Sequence, residues 1–182
     1  MNGPTNDPAD RVVDLLAQRR ARLGAGRLLC VDGPAGSGKT MLAGRVAART
    51  GAPVVHMDDL YPGWDGLARV EPHVLGILGP LAEGRTGSYR RYDWHAGRYA
   101  DLHHVAPCPL LVLEGVAAGN RAWARWCTVL VFMTADEDRR LQRGLARDGE
   151  AMRQHWLAWI REEERMHDEQ GTRARADLVV PT

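Results

Sequence analysis

The chain has 182 residues, a formal charge of +1 and 45% hydrophobic residues, which suits one compact domain with a real core. So small a net charge argues against nucleic acid or an anionic membrane as a partner drawn by bulk electrostatics. No apolar run approaches the roughly 18 residues of a membrane span, the first ten residues lack the order of a signal peptide, and Cys30, Cys108 and Cys127 lack metal or redox spacing, so a cytoplasmic enzyme with inert thiols is expected.

Residues 1–8 read as a loose tail. Asp10 is placed to cap a helix over 10–23, whose apolar face is Val12, Val13, Leu15, Leu16 and Leu23, and Gly24-Ala25-Gly26 ends it. Residues 27–32 (RLLCVD) predict a buried strand that runs straight into a glycine-rich loop. A helix is expected over 40–49, closed by Gly51. Residues 53–57 predict a second strand ending at Asp58-Asp59, followed by a polar loop with Tyr61 and Trp64.

Residues 71–81 predict a helix broken by Gly76 and Gly79. Residues 84–104, crowded with Arg, Tyr, Trp and His, read as an irregular binding surface. A third strand is expected over 109–113, ending at Glu114-Gly115, and a fourth over 128–133. A long helical region over 136–170 is interrupted near Asp148-Gly149, and 176–180 predicts a fifth strand. Apolar strands alternating with helices indicate a single α/β domain, its parallel sheet covered on both faces.

Residues 33–40 read Gly33-Pro34-Ala35-Gly36-Ser37-Gly38-Lys39-Thr40, the G-x-x-x-x-G-K-T phosphate loop. Glycines let successive backbone N–H groups curl around phosphate oxygens, and the next helix adds its positive N-terminal end. Lys39 is suited to reach the β- and γ-phosphates, and the Thr40 hydroxyl to ligate Mg²⁺. Lys39 is also the sole lysine among 24 basic residues. The chain uses arginine for every other cation and departs from it where a compact, mobile ammonium is needed.

Carboxylates at strand ends come next, because ligands of open parallel sheets lie outside the strands' carboxyl ends. Asp58 could deprotonate or orient an acceptor hydroxyl and help hold a metal's water shell; Asp59 follows it, and a solvated turn is the bland alternative for both. Glu114 stands where a Walker-B acid would. Asp32 lies ahead of the loop and reads as structural. Arg139, Arg143 and Arg147 share one helical face, fit either to clamp phosphates as a lid over about 139–153 or to lie solvated. Tyr92, Asp93, Trp94 and His95 belong to a cluster suited to a small acceptor's ring and hydroxyls. His73, His103, His104, His155 and His167 lack ligand spacing, and Trp156 and Trp159 read as core.

These segments resemble the uridine kinase-like branch of P-loop kinases, which includes phosphoribulokinase and pantothenate kinase relatives. The resemblance rests on GPAGSGKT, on Met57-Asp58-Asp59-Leu60-Tyr61 beside a D-S-F-Y motif, and on Tyr92-Asp93-Trp94-His95 beside a Y-D-F segment with a nearby histidine. Leu113-Glu114-Gly115 and Arg143–Asp148 (RGLARD) complete it. Asp59 and Leu60 stand where the family has serine and phenylalanine.

The resemblance implies a P-loop three-layer α/β/α fold with strand order 2-3-1-4-5 and a helical lid. It implies transfer of the ATP γ-phosphoryl group, with Mg²⁺, to a hydroxyl of a nucleoside-like acceptor. Lys39, Asp58, Arg143 and Arg147 would be catalytic, and Gly33, Ala35, Gly36, Ser37, Gly38, Lys39 and Thr40 would bind the nucleotide. Asp58, Tyr61, Tyr92, Asp93, His95 and Glu114 would bind the acceptor, and Thr40, Asp58 and Glu114 the metal. A sugar, a vitamin precursor or an antibiotic-like metabolite could be the acceptor instead. A P-loop ATPase acting on protein partners is the alternative of another class; the N-K-x-D guanine motif of a GTPase is missing after the fourth strand.

Overall fold

A computed structural model describes residues 7–182, so most of the expected N-terminal tail lies outside the described residues. Helix α1 (Pro8–Gln18) is capped by Asp7, whose side chain accepts from the Ala9 N–H, and proline occupies its first turn. The expected cap, Asp10, lies inside the helix and pairs with Arg49 at 2.6 Å. The helix stops five residues before Leu23 because Arg19 turns extended and bonds to the Thr128 carbonyl and to Asp177. A tertiary pair overrides local periodicity there.

Strand β1 (Arg27–Asp32) leads through the loop to α2 (Lys39–Thr50), then to β2 (Val54–His56) and a 3-10 turn at Met57–Asp59. Helix α3 (Glu71–Ala82) is continuous through Gly76 and Gly79, since Val74, Ile77, Leu78 and Leu81 bury one face of it. Residues 84–104 are not irregular. They form an antiparallel hairpin, β3 (Gly87–Asp93) and β4 (Arg98–Val105), bulged between Arg90 and Tyr92.

Strands β5 (Leu110–Glu114) and β6 (Val129–Thr134) follow, then α4 (Glu137–Asp148), α5 (Arg153–Gln170), the short α6 (Thr172–Arg175) and β7 (Leu178–Pro181). The main sheet has the order β2-β5-β1-β6-β7, with every neighbouring pair parallel. Counted without the hairpin, this is the expected 2-3-1-4-5.

Period-two alternation along β1 feeds both faces of the sheet. Leu29 and Val31 join Val12, Leu16, Leu42 and Val46 of α1 and α2 in one apolar layer. Leu28 and Cys30 join Ile77, Leu78, Trp123 and Trp159 in the other. Helix-sheet-helix layering leaves the carboxyl edge free for the loops after β1, β2, β5 and β6.

Candidate active site

The loop after β1 takes its shape from close packing. Gly33 has φ of +134°, and a Cβ there would lie 2.3 Å from the Met133 carbonyl oxygen. Gly36 has φ of +78°, and its Cβ would meet the Arg140 backbone at 2.9 Å. Only glycine combines a positive φ with such an approach. Beneath the loop, the fully buried Asp32 accepts N–H groups from Gly33, Ala117 and Gly119 and faces His167 Nε2 at 3.0 Å. It therefore fixes the loop after β1 and the turn after β5 together, a structural role.

Asp32→Asn replaces one acceptor oxygen by an N–H₂ that faces donors. It should cost about 1–3 kcal/mol of stability, measured as a lower denaturant midpoint at unchanged m-value.

Lys39 is 7% exposed, its ammonium donating to the Pro34 carbonyl at 2.9 Å. Thr40 Oγ1 donates to Glu114 Oε1 at 3.1 Å. Parallel register sets His56 of β2 beside Glu114 of β5, and His56 Nδ1 meets the same oxygen at 2.5 Å. That bond to Glu114 raises the His56 pKa. Among the described residues no group of three or more His, Cys, Asp or Glu could hold a metal ion by itself. The donors present, a hydroxyl and carboxylates, fit Mg²⁺, which takes few protein oxygens and fills its shell with phosphate oxygens and water.

Asp58 and Asp59 stand on the 3-10 turn after β2. Asp58 is open to solvent along the cleft but enclosed by protein elsewhere, and this desolvation raises its pKa while Lys39 and Arg147 pull it down. The hairpin tip is pinned to the same turn, since Trp94 Nε1 donates to the Asp58 carbonyl at 2.9 Å.

Lys39, Thr40, Asp58, Asp59, Trp94 and Glu114 line one cleft of about 1240 Å³; His56 does not reach it. Its wall includes Ala35, Gly36, Gly38, Lys39 and Thr40 of the loop, with Asp58, Tyr61, Tyr92, Asp93, His95, Glu114, Arg143 and Arg147. Gly33 and Ser37 are not in the wall; both are buried within the loop. Arg139 is exposed and also outside it. The wall also includes Met41 and Arg45 of α2, Thr182 just after β7, and Trp64, Trp94 and Trp156.

Several predicted residues have other partners too. The Tyr61 hydroxyl is buried and donates to the Val116 carbonyl at 2.5 Å, leaving its ring edge-on to Trp159. Asp93 Oδ1 accepts the His95 and Ala96 N–H groups, closing the hairpin turn. Arg143 donates to the Gly36 carbonyl at 2.9 Å, whereas Arg147 forms a two-pronged pair with Asp148.

Sequence reasoning did not single out His56, whose signal is its place at the end of the strand neighbouring Glu114. It also assigned Trp156 and Trp159 to the core alone. They are 2% and 5% exposed, yet both reach the cleft wall and meet Trp64 edge-on, with centroids 6.0 and 6.1 Å away.

Gly144 lets α4 rest on this aromatic wall, because a Cβ there would lie 2.4 Å from the Trp156 ring. Alanine would add about 1 kcal/mol of helix propensity, but overpacking costs about 1–3 kcal/mol. Gly144→Ala is therefore expected to lower the melting temperature despite the better helix former.

No protein-family model matches the chain, and no curated protein matches its sequence. Solved structures do match. A protein described as a possible uridine kinase from Bacillus stearothermophilus superposes with a TM-score of 0.69 at 18% identity, covering 94% of this chain and 96% of that one. The chain has the fold of the P-loop kinases. A protein described as a putative fructose transport system kinase from Silicibacter sp. TM1040 gives a TM-score of 0.59 at 21% identity, covering 95% of this chain and 97% of that one. Both likenesses span nearly the whole chain.

Among the described residues no helix is long and apolar enough to cross a membrane.

Proposed function

We propose that the protein is an ATP-dependent kinase that phosphorylates a hydroxyl of a small acceptor, best a nucleoside-like one. The observation that carries this reading is the meeting of Lys39, Asp58 and Glu114 in one cleft with an aromatic end. A phosphate-binding loop alone would serve any nucleotide hydrolase. A carboxyl of raised pKa facing it, beside stacking side chains, supplies what an acceptor needs.

In this reading the loop N–H groups and Lys39 hold the triphosphate and stabilise charge that gathers on the transferred group. Asp58 takes the proton of the acceptor hydroxyl as its oxygen forms the new bond to phosphorus. The bond to the bridging β-phosphate oxygen breaks in line. A raised pKa makes Asp58 a stronger base than an ordinary aspartate.

Thr40 would hold Mg²⁺, with Glu114 and Asp58 supporting its water shell; the ion neutralises phosphate charge when bound. Helix α4 acts as the lid, with Arg143 at the loop and Arg147 near Asp58, keeping water from the reacting group. Tyr92, Trp94 and Trp64 present ring faces and edges to a planar acceptor, with Tyr61, Asp93 and His95 completing its pocket.

An ATP-consumption screen over nucleosides, sugars and vitamin precursors tests the proposal. Hydrolysis should be slow alone and should rise with one acceptor class. Fast hydrolysis that no acceptor changes would favour a nucleotide-hydrolysing regulatory module instead.

A further inference from the structure

Helix α5 buries Trp156, Trp159, Ile160, Glu163 and His167, a stripe at helical spacing. Glu163 is out of place in it. The carboxylate is fully buried and bonds at 2.7 Å to Arg140, whose side chain is only 4% exposed. Its second oxygen accepts the Ala35 N–H at 2.8 Å, and Arg140 Nε has no hydrogen-bond partner among the described residues.

Taking an ion pair out of water costs several kcal/mol per ion, and apolar residues of similar volume often do as well or better. Stability alone therefore does not account for the pair. Its geometry does. One carboxylate joins the phosphate loop at Ala35, helix α4 at Arg140 and helix α5, while the α4 backbone at Arg140 packs on Gly36. Four residues on along α5, His167 reaches Asp32, which holds the Gly33 N–H. The loop is thus held from α5 at alternate residues, 33 and 35.

We propose that Glu163 is a positioning residue that sets the curvature of the phosphate loop by holding the Ala35 N–H. The inference rests on the reading of that loop as a nucleotide-phosphate site. Glu163 does not line the cleft and acts through the loop. With Ala35 released, the amides that follow it in the loop lose their common direction, and a di- or triphosphate meets fewer of them at once.

Two neutral replacements separate positioning from packing. R140M/E163Q removes both charges and keeps an acceptor oxygen for Ala35, whereas R140M/E163L removes the oxygen as well. The probe is Mg·ADP, titrated calorimetrically at a temperature well below both melting points. R140M/E163Q should bind within about threefold of wild type, and R140M/E163L about tenfold more weakly, as expected for an orphaned backbone donor.

Equal affinities for the two variants would overturn the proposal, whatever their stabilities. Should R140M/E163L not fold, R140M/E163N withdraws the amide by one methylene and makes the same comparison. If wild type itself fails to bind Mg·ADP, the phosphate-site reading falls, and this inference with it. Wild-type binding with no difference between variants sinks the inference alone.

Discussion

Lys39→Ala is expected to lower phosphoryl transfer by at least about 10²–10³-fold, the cost of removing one preorganised donor from developing charge. The ammonium is nearly buried and lies against the Pro34 carbonyl, so it is already aimed along the loop. Lys39→Arg should not rescue it. A planar guanidinium is bulkier than the ammonium that lies against the Pro34 carbonyl, and it presents its donors in a fixed plane.

The chain's arginine habit sharpens the test, since every other basic residue is arginine and this position still is not. The measurement is kcat/KM for ATP with a saturating acceptor, beside Mg·ADP affinity. Full turnover in Lys39→Ala would end the kinase proposal. Because there is one lysine, an amine-directed reagent should inactivate by modifying a single side chain, with ADP slowing the modification.

The main sheet was legible because its strands announce themselves. RLLCVD, LLVLE and VLVFMT are short apolar runs ending in polar residues at the carboxyl edge, and each forms a strand within a residue or two of its expected place. The hairpin was hidden for the opposite reason. From Gly87 to Val105 only the two end residues are buried, so polar side chains occupy both faces and no period of two appears. Its turn was still written in the sequence: Asp93 gathers two N–H groups, and Gly97 supplies φ of +63°.

The proposed donor side of the site rests on one contiguous motif, since loop, lysine and threonine are neighbours in the chain. The acceptor side is assembled from distant segments. Trp64 meets Trp94, Trp156 and Trp159 across gaps of 30 residues or more, and only the fold brings their rings within about 6 Å. Glu163 and Arg140 sat unnoticed among other charges, because a helix rich in Arg and Glu looks like a solvated surface. Their burial is a tertiary fact.

Asp58→Asn is expected to lower kcat by about 10²–10⁴-fold, the range that a positioned acid or base contributes, with little change in KM for either substrate. Asparagine keeps the size of the side chain and one acceptor oxygen, so the acceptor hydroxyl can still be held; it cannot take the proton. The raised pKa of Asp58, caused first by its enclosure, fits a base more than a group serving only to hold a cation's water.

The two roles separate by titration with Mg²⁺. If Asp58 mainly supports the metal, raising Mg²⁺ should restore turnover of the asparagine variant toward wild type. If it accepts the proton, turnover stays low at every Mg²⁺ concentration while nucleotide affinity is normal. Acceptor-dependent turnover that survives Asp58→Asn would remove Asp58 from the base role, and His56 and Asp59, beside it at the end of the same strand, would then be the groups to replace.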